Sequence, residues 1–187
     1  MARRPQKSTS TRAASAQRSA WPDDIHAQFT RVGIRQVGYV PDAGHSRLIA
    51  LCRNDPAIAD VVLTTEEEGV GLVAGAALGG QRAALLMQSS GVGNCVNMVS
   101  LLRICGFPCL ILVTMRGEFA EFNPWQVPMG SITEPALNLC GFLTYRVDDP
   151  DDVEDVVAAG CDMAFGGNLS VAILLSQRLI GRKHWSD

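Results

Sequence analysis

An α/β fold is predicted, a three-layer α/β/α sandwich on a six-stranded parallel sheet. Three features of the sequence predict it. Six short apolar stretches alternate with stretches of helical spacing. The apolar stretches are nearly continuous, as strands covered on both faces must be. Gly, Pro, Asn and Asp mark the joints between them.

The elements follow in order. Trp21-Pro22-Asp23-Asp24 opens a helix that runs to about Val32. Ile34 to Val40 is the first strand, ended by Pro41. A helix from Ser46 to Arg53 closes at Asn54-Asp55-Pro56. Asp60 to Thr64 is the second strand, and Glu66 to Leu78 a helix stopped by Gly79-Gly80. Ala83 to Met87 is the third strand. Gln88 to Asn94 reads as a Gly/Ser loop, and Val92 to Cys105 as one helix. After Gly106-Phe107-Pro108 comes the most apolar strand, Cys109 to Met115. Arg116 to Ser131 is irregular and long for a loop in a compact domain, which usually marks function or disorder. A helix from Thr133 to Cys140, a strand from Phe142 to Val147, a helix opening at Asp148 to Asp152 and a strand from Ser170 to Leu175 complete the chain.

Composition bounds the function. The 187 residues are 47% hydrophobic and 19% charged, enough for one sizeable core. Residues 1–20 carry five basic side chains and no acidic one, and are rich in Ser, Thr and Ala. They read as a disordered basic tail, or as a transit peptide, leaving 21–187 as the domain. Net charge is -3, which argues against a nucleic-acid partner. No apolar run reaches the ~18 residues that span a membrane. The six cysteines form no C-x-x-C pair and the three histidines are scattered, so no metal site is expected. Cysteines in apolar settings suit a reducing compartment, and a soluble cytoplasmic protein is expected.

In a parallel sheet, ligands bind at the carboxyl ends of strands near a switch in strand order. The loops after strands therefore carry the candidates. Thr64-Thr65-Glu66-Glu67-Glu68-Gly69 joins a strand to a helix. Thr65 and Glu68 fit a capping box, and acidic residues favour a first turn. Capping needs Glu68 and not Glu66, which would open the helix at the rim. Gln88-Ser89-Ser90-Gly91-Val92-Gly93-Asn94 lets a backbone approach closely, or is simply a tight connection. Arg116 can fork onto an anion, or pair with Glu118 or Glu121. Asp42 and His45 follow the first strand, His45 as an acid–base group or an anion contact. Trp125 is a candidate lid or subunit contact.

Taken together, these loops resemble the pyrimidine-binding domain of thiamine-diphosphate enzymes, over roughly residues 23–180. The likeness is to the alpha subunits of sulfopyruvate decarboxylases and to phosphonopyruvate decarboxylases. It is carried by Val40-Pro41-Asp42, by Glu66 through Gly75, by Met87 through Asn94, and by Arg116-Gly117-Glu118 with Gln126-Val127-Pro128-Met129-Gly130. The resemblance implies the thiamine-diphosphate-binding fold and a carboxy-lyase that converts sulfopyruvate to sulfoacetaldehyde and carbon dioxide. Phosphonopyruvate or another 2-oxo acid is the alternative substrate, and a non-catalytic, anion-binding or regulatory oligomer the alternative function.

It also implies that Glu66 contacts the cofactor pyrimidine. The text Val70-Gly71-Leu72 with Ala74-Gly75 sets this register, and a slip of one residue would put the role on Glu67. Pro41, Ser89, Ser90 and Gly91 would line the cofactor; Asp42, His45, Gln88 and Arg116 would hold substrate. The family binds magnesium and diphosphate through Gly-Asp-Gly followed by Asn-Asn, and this sequence has neither. A beta-type partner chain is therefore expected to bring magnesium and the diphosphate end, and homo-oligomerisation is expected besides.

Overall fold

The computed structural model describes residues 21–181. The expected tail at 1–20 lies outside the described residues. The strands are β1 (Ile34–Tyr39), β2 (Ala59–Val62), β3 (Arg82–Gln88), β4 (Cys109–Thr114), β5 (Leu143–Val147) and β6 (Ser170–Leu175). They form one sheet in the order β2-β1-β3-β4-β6-β5, and every pairing is parallel.

Alternate side chains of the central strands feed two cores. Leu86, Leu110, Leu112, Ile173 and Leu175 face α1 (Trp21–Val32), α2 (Ser46–Asn54) and α7 (Val153–Gly167). Leu85, Met87, Ile111, Val113 and Leu174 face the other layer. That layer holds α3 (Glu66–Leu78), α4 (Ser89–Cys95), α5 (Ser100–Cys105) and α6 (Val127–Leu139). All six residues of β4 are buried, and each Leu, Ile or Val among them is worth ~1.5–3 kcal/mol of burial. The three layers and the six parallel strands are as the sequence predicts.

From β1 the chain steps outward to β2, then crosses back to β3 on the other side of β1. The helices of these two crossovers, α2 and α3, pack on opposite faces. The carboxyl ends of β1 and β3 are thus a switch point, the place where folds of this kind form a ligand crevice.

Local structure departs from expectation in four places. Residues 88–94 are not a loop: α4 begins at Ser89, and the glycines lie inside it. The single helix expected over 92–105 is two helices. Between them the bonds tighten to i→i−3, and the Asn97 carbonyl accepts both the Ser100 amide and its hydroxyl (3.3 and 2.7 Å). The irregular stretch ends sooner than expected. Asn123 caps a short turn at Pro124–Gln126, and α6 starts at Val127 with Pro128 in its first turn. A short α8 (Gln177–Ile180), capped by Ser176, follows β6 and is not evident in the sequence.

Candidate active site

Glu66 is the first residue of α3 and sits half-buried beside the start of α4. Asn94 Nδ2 donates to its Oε2 at 2.8 Å. A Cβ on Gly91 would lie 2.5 Å from the Glu66 Cγ and Cδ, so only a glycine lets the carboxylate lie against α4. Glu67 is exposed. Glu68 reaches back to the Thr64 amide at 2.8 Å, and the Thr65 side chain makes no capping bond. The acidic run therefore splits by role. Glu68 caps the helix one residue earlier than a capping box would, and Glu66 is turned toward the Gly91–Asn94 face.

Asp42 fastens three loops together. Its Oδ1 accepts from Gln88 Nε2 (3.1 Å), and its Oδ2 from Thr114 Oγ1 (2.6 Å) and the Gly44 amide (3.2 Å). Burial works against the ionised carboxyl, but the hydrogen bonds from Thr114, Gln88 and Gly44 together hold it below the usual carboxylate range. Ser90 Oγ donates onward to Gln88 Oε1 at 3.1 Å. The loops after β1, β3 and β4 are thus tied by one carboxylate, with Gln88 and Ser90 at the crevice side. Pro41 is exposed beside them.

His45 lies behind this cluster, 1% exposed, with Nε2 3.2 Å from the Leu112 carbonyl. Burial pushes its pKa down, so it is neutral and donates to that carbonyl. Ser89 is fully buried: its Oγ accepts from the Arg116 amide (3.2 Å), and its carbonyl accepts from Thr133 (3.3 Å). Both residues hold the rim from beneath.

Arg116 is buried and forks onto Glu121, with Nε 2.6 Å from Oε2. Glu121 also accepts from the amides of Gly117 (3.1 Å) and Asn123 (2.9 Å) and from Gln177 Nε2 (2.9 Å). The Arg116 guanidinium, joined by these donors, holds the Glu121 carboxyl down to about 2. Gln177 Oε1 in turn accepts from the amides of Glu118 and Phe119 (3.0 and 2.9 Å). The stretch from Arg116 to Asn123 is therefore latched to the end of β6. Glu118 pairs with Arg146 through two bonds (2.6 and 2.7 Å). The guanidinium groups of Arg116 and Arg146 are thus both committed to carboxylates.

The structure brings Glu66, Gly91 and Asn94 together, and separately Asp42, Gln88, Ser90 and Thr114. It sets Arg116, His45 and Ser89 into the supporting framework. Thr114 and Gln177 are working residues that reading by motif passes over; Asn94 stands in the 88–94 motif with no role assigned, and Glu121 is one of the two partners expected for Arg116. Gly91 and Asn94 stand three apart, one helical turn, and reading 88–94 as a helix would have put them on one face.

The donors and acceptors at the crevice suit the ring end of a heteroaromatic cofactor. Glu66 Oε1 has no donor among the described hydrogen bonds, and Cys95 close by is kept as a thiol. Its pKa is pushed up to about 12, first by burial and then by the charges of Glu66 and Glu67. Among the described residues no three His, Cys, Asp or Glu side chains converge as a metal site.

Trp125 (84% exposed), Ile132, Val127 and Val96 leave large apolar side chains in water. No helix among the described residues is long and apolar enough to cross a membrane.

Comparison with known proteins places this architecture. No protein-family model matches the chain. It is 35% identical over 136 residues to the sulfopyruvate decarboxylase subunit alpha of Methanocaldococcus jannaschii, covering 72% of this chain and 80% of that one. It is 34% identical to the subunit alpha of Methanothermobacter thermautotrophicus, covering 81% of this chain and 92% of that one. Against the phosphonopyruvate decarboxylase of Streptomyces viridochromogenes, identity is 34% over 74% of this chain but only 35% of that protein. Among solved structures, a 2-oxoglutarate:ferredoxin oxidoreductase from Magnetococcus marinus superposes with a TM-score of 0.67. The match covers 86% of this chain and 29% of that one at 14% identity, a likeness of fold. Sequence identity over nearly the full length of the alpha subunits shows that this chain belongs to the sulfopyruvate decarboxylase alpha-subunit family.

Proposed function

We propose that this chain is the pyrimidine-binding subunit of a two-chain, thiamine-diphosphate-dependent decarboxylase acting on sulfopyruvate. The observation that carries the reading is the Glu66 carboxylate. It stands at the start of α3 with one oxygen bonded to Asn94 and the other, which has no donor among the described hydrogen bonds, lying against Gly91. Thiamine diphosphate, when bound, supplies the electron sink that lets a 2-oxo acid lose carbon dioxide and take up a proton. Glu66 Oε1 would hydrogen-bond a ring nitrogen of the pyrimidine and share a proton with it. Gly91 and Ser90 line the approach beside Glu66, with Pro41 at the edge. Asp42 and Gln88 set the spacing of the loops on which substrate rests.

Two lines support a partner chain. The alpha subunits match nearly end to end, whereas the phosphonopyruvate decarboxylases are covered over only a third of their length. The relatives' names, subunit alpha, imply a companion subunit besides. A beta-type partner supplies magnesium and the diphosphate end, and exposed apolar residues such as Trp125 are its contact surface or that of a second copy. The six cysteines are free, in keeping with a cytoplasmic location. With Arg116 bound to Glu121, the cation that meets the sulfonate comes from outside the described site.

The substrate is tested by assaying this chain, reconstituted with its partner, on sulfopyruvate, phosphonopyruvate and pyruvate. Sulfopyruvate is expected to give a kcat/KM at least tenfold above the other two. A preference for phosphonopyruvate would move the chain to the alternative substrate, and no carbon dioxide from any of the three would favour a non-catalytic binding subunit.

A further inference from the structure

We infer that Asn94 is the positioning residue for Glu66: it fixes which carboxylate oxygen faces the cofactor. The inference deepens the proposed function and rests on Glu66 having the role assigned there.

Glu66 has a long, flexible side chain at a helix start, free to sample several rotamers. Two contacts from α4 restrict it. The bare Cα of Gly91 receives the Cγ and Cδ, which a Cβ there would meet at 2.5 Å. One turn on, Asn94 donates to Oε2 at 2.8 Å. The two contacts stand on the same helix face, so α4 acts as a splint along the carboxyl group.

The chemistry of the donor matters as much as its place. An amide N–H stabilises a carboxylate without adding charge, and it has no acid–base chemistry of its own near neutrality. A lysine or arginine there would pin the carboxylate as an ion pair and hold its proton affinity too low for exchange. Asn94 occupies Oε2 and leaves Oε1 without a donor among the described hydrogen bonds, so proton exchange is confined to one oxygen. The bond lies in water on the isolated chain, where Asn94 is exposed. It gains strength once a partner covers the crevice and the local dielectric falls.

The test compares Asn94→Ala and Asn94→Asp in the full chain. The first readout needs no cofactor: the titration of the Glu66 side-chain carboxyl carbon by NMR, assigned by its loss in Glu66→Gln. Without the amide donor the midpoint is expected to rise in Asn94→Ala. It is expected to rise further in Asn94→Asp, which keeps the shape, loses the donor and adds a like charge. The second readout is the reconstituted pair. Asn94→Ala is expected to lose about tenfold in kcat with KM within twofold, and the acid limb of its pH–rate profile is expected to move upward. An unchanged midpoint in both variants, or wild-type kcat and pH profile in Asn94→Ala, would overturn the inference. Full activity in Glu66→Gln would instead overturn the proposed function, and the NMR result would stand apart from it. Should Asn94→Asp unfold, Asn94→Ser takes its place, with a hydroxyl donor and wild-type behaviour restored in part.

Discussion

Glu66→Gln is expected to lower kcat of the reconstituted pair by ~10²–10⁴-fold, the usual weight of one acid–base group, with KM little changed. Glutamine keeps the size and can still bond Asn94, but it cannot exchange a proton. Glu67→Gln is expected to stay within about threefold of wild type, because Glu67 points to solvent. The pair decides the register that the sequence leaves open between neighbours. Gly91→Ala is a companion to it. The nearest atoms to the added methyl belong to the Glu66 side chain, and alanine is the better helix former by ~1 kcal/mol. It is expected to keep or raise thermal stability while cutting kcat, because the carboxylate must swing away. Equal rates for Glu66→Gln and wild type in a steady-state assay would remove Glu66 from the mechanism.

The second large effect is on folding. Glu121→Ala is expected to destabilise the chain by ~3–5 kcal/mol, because it leaves the Arg116 guanidinium buried with no counter-charge. It also frees the amides of Gly117 and Asn123 and the Gln177 side chain, which hold the 116–123 stretch. Arg116→Lys cannot restore the fork, and is expected to cost stability before it affects substrate binding. The same pair makes stability depend on acid. The Glu121 carboxyl titrates at about 2 when folded and near its ordinary 4.5 when unfolded. Its contribution, ~3 kcal/mol, is complete above the unfolded value and is lost as pH falls from about 5 toward 2. Asp42 shifts the same way and adds to the loss. Urea unfolding from pH 7 to pH 3 measures this. The wild-type midpoint should fall steeply below pH 5, and the fall should be shallower in Glu121→Gln. Parallel curves for the two proteins would remove the pair as the source.

Strands buried on both faces were legible because burial writes itself as unbroken apolar runs. Ser170–Leu175 and Glu66–Leu78 are found where the sequence places them. Helix α4 was not legible. Its glycines carry the local signal of a turn, and in the fold each makes room for a neighbouring side chain. Glu66 presses on Gly91, and Met129 stands 3.2 Å from where a Cβ on Gly93 would be. Tertiary contact outweighs propensity there. Arg116 shows the other limit. A rim arginine has the chemistry to hold an anion, and only the fold shows that Glu121, five residues on, occupies it. Asp42 likewise has the look of a substrate contact and the geometry of a clamp.

Mixing the two chains tests the central claim most directly. Carbon dioxide release from sulfopyruvate is measured with this chain alone, with a companion chain carrying Gly-Asp-Gly and Asn-Asn alone, and with both, each with thiamine diphosphate and magnesium. The account predicts that neither chain alone turns over, and that activity appears on mixing and rises to a plateau as the companion is titrated in. Full turnover by this chain alone would contradict it.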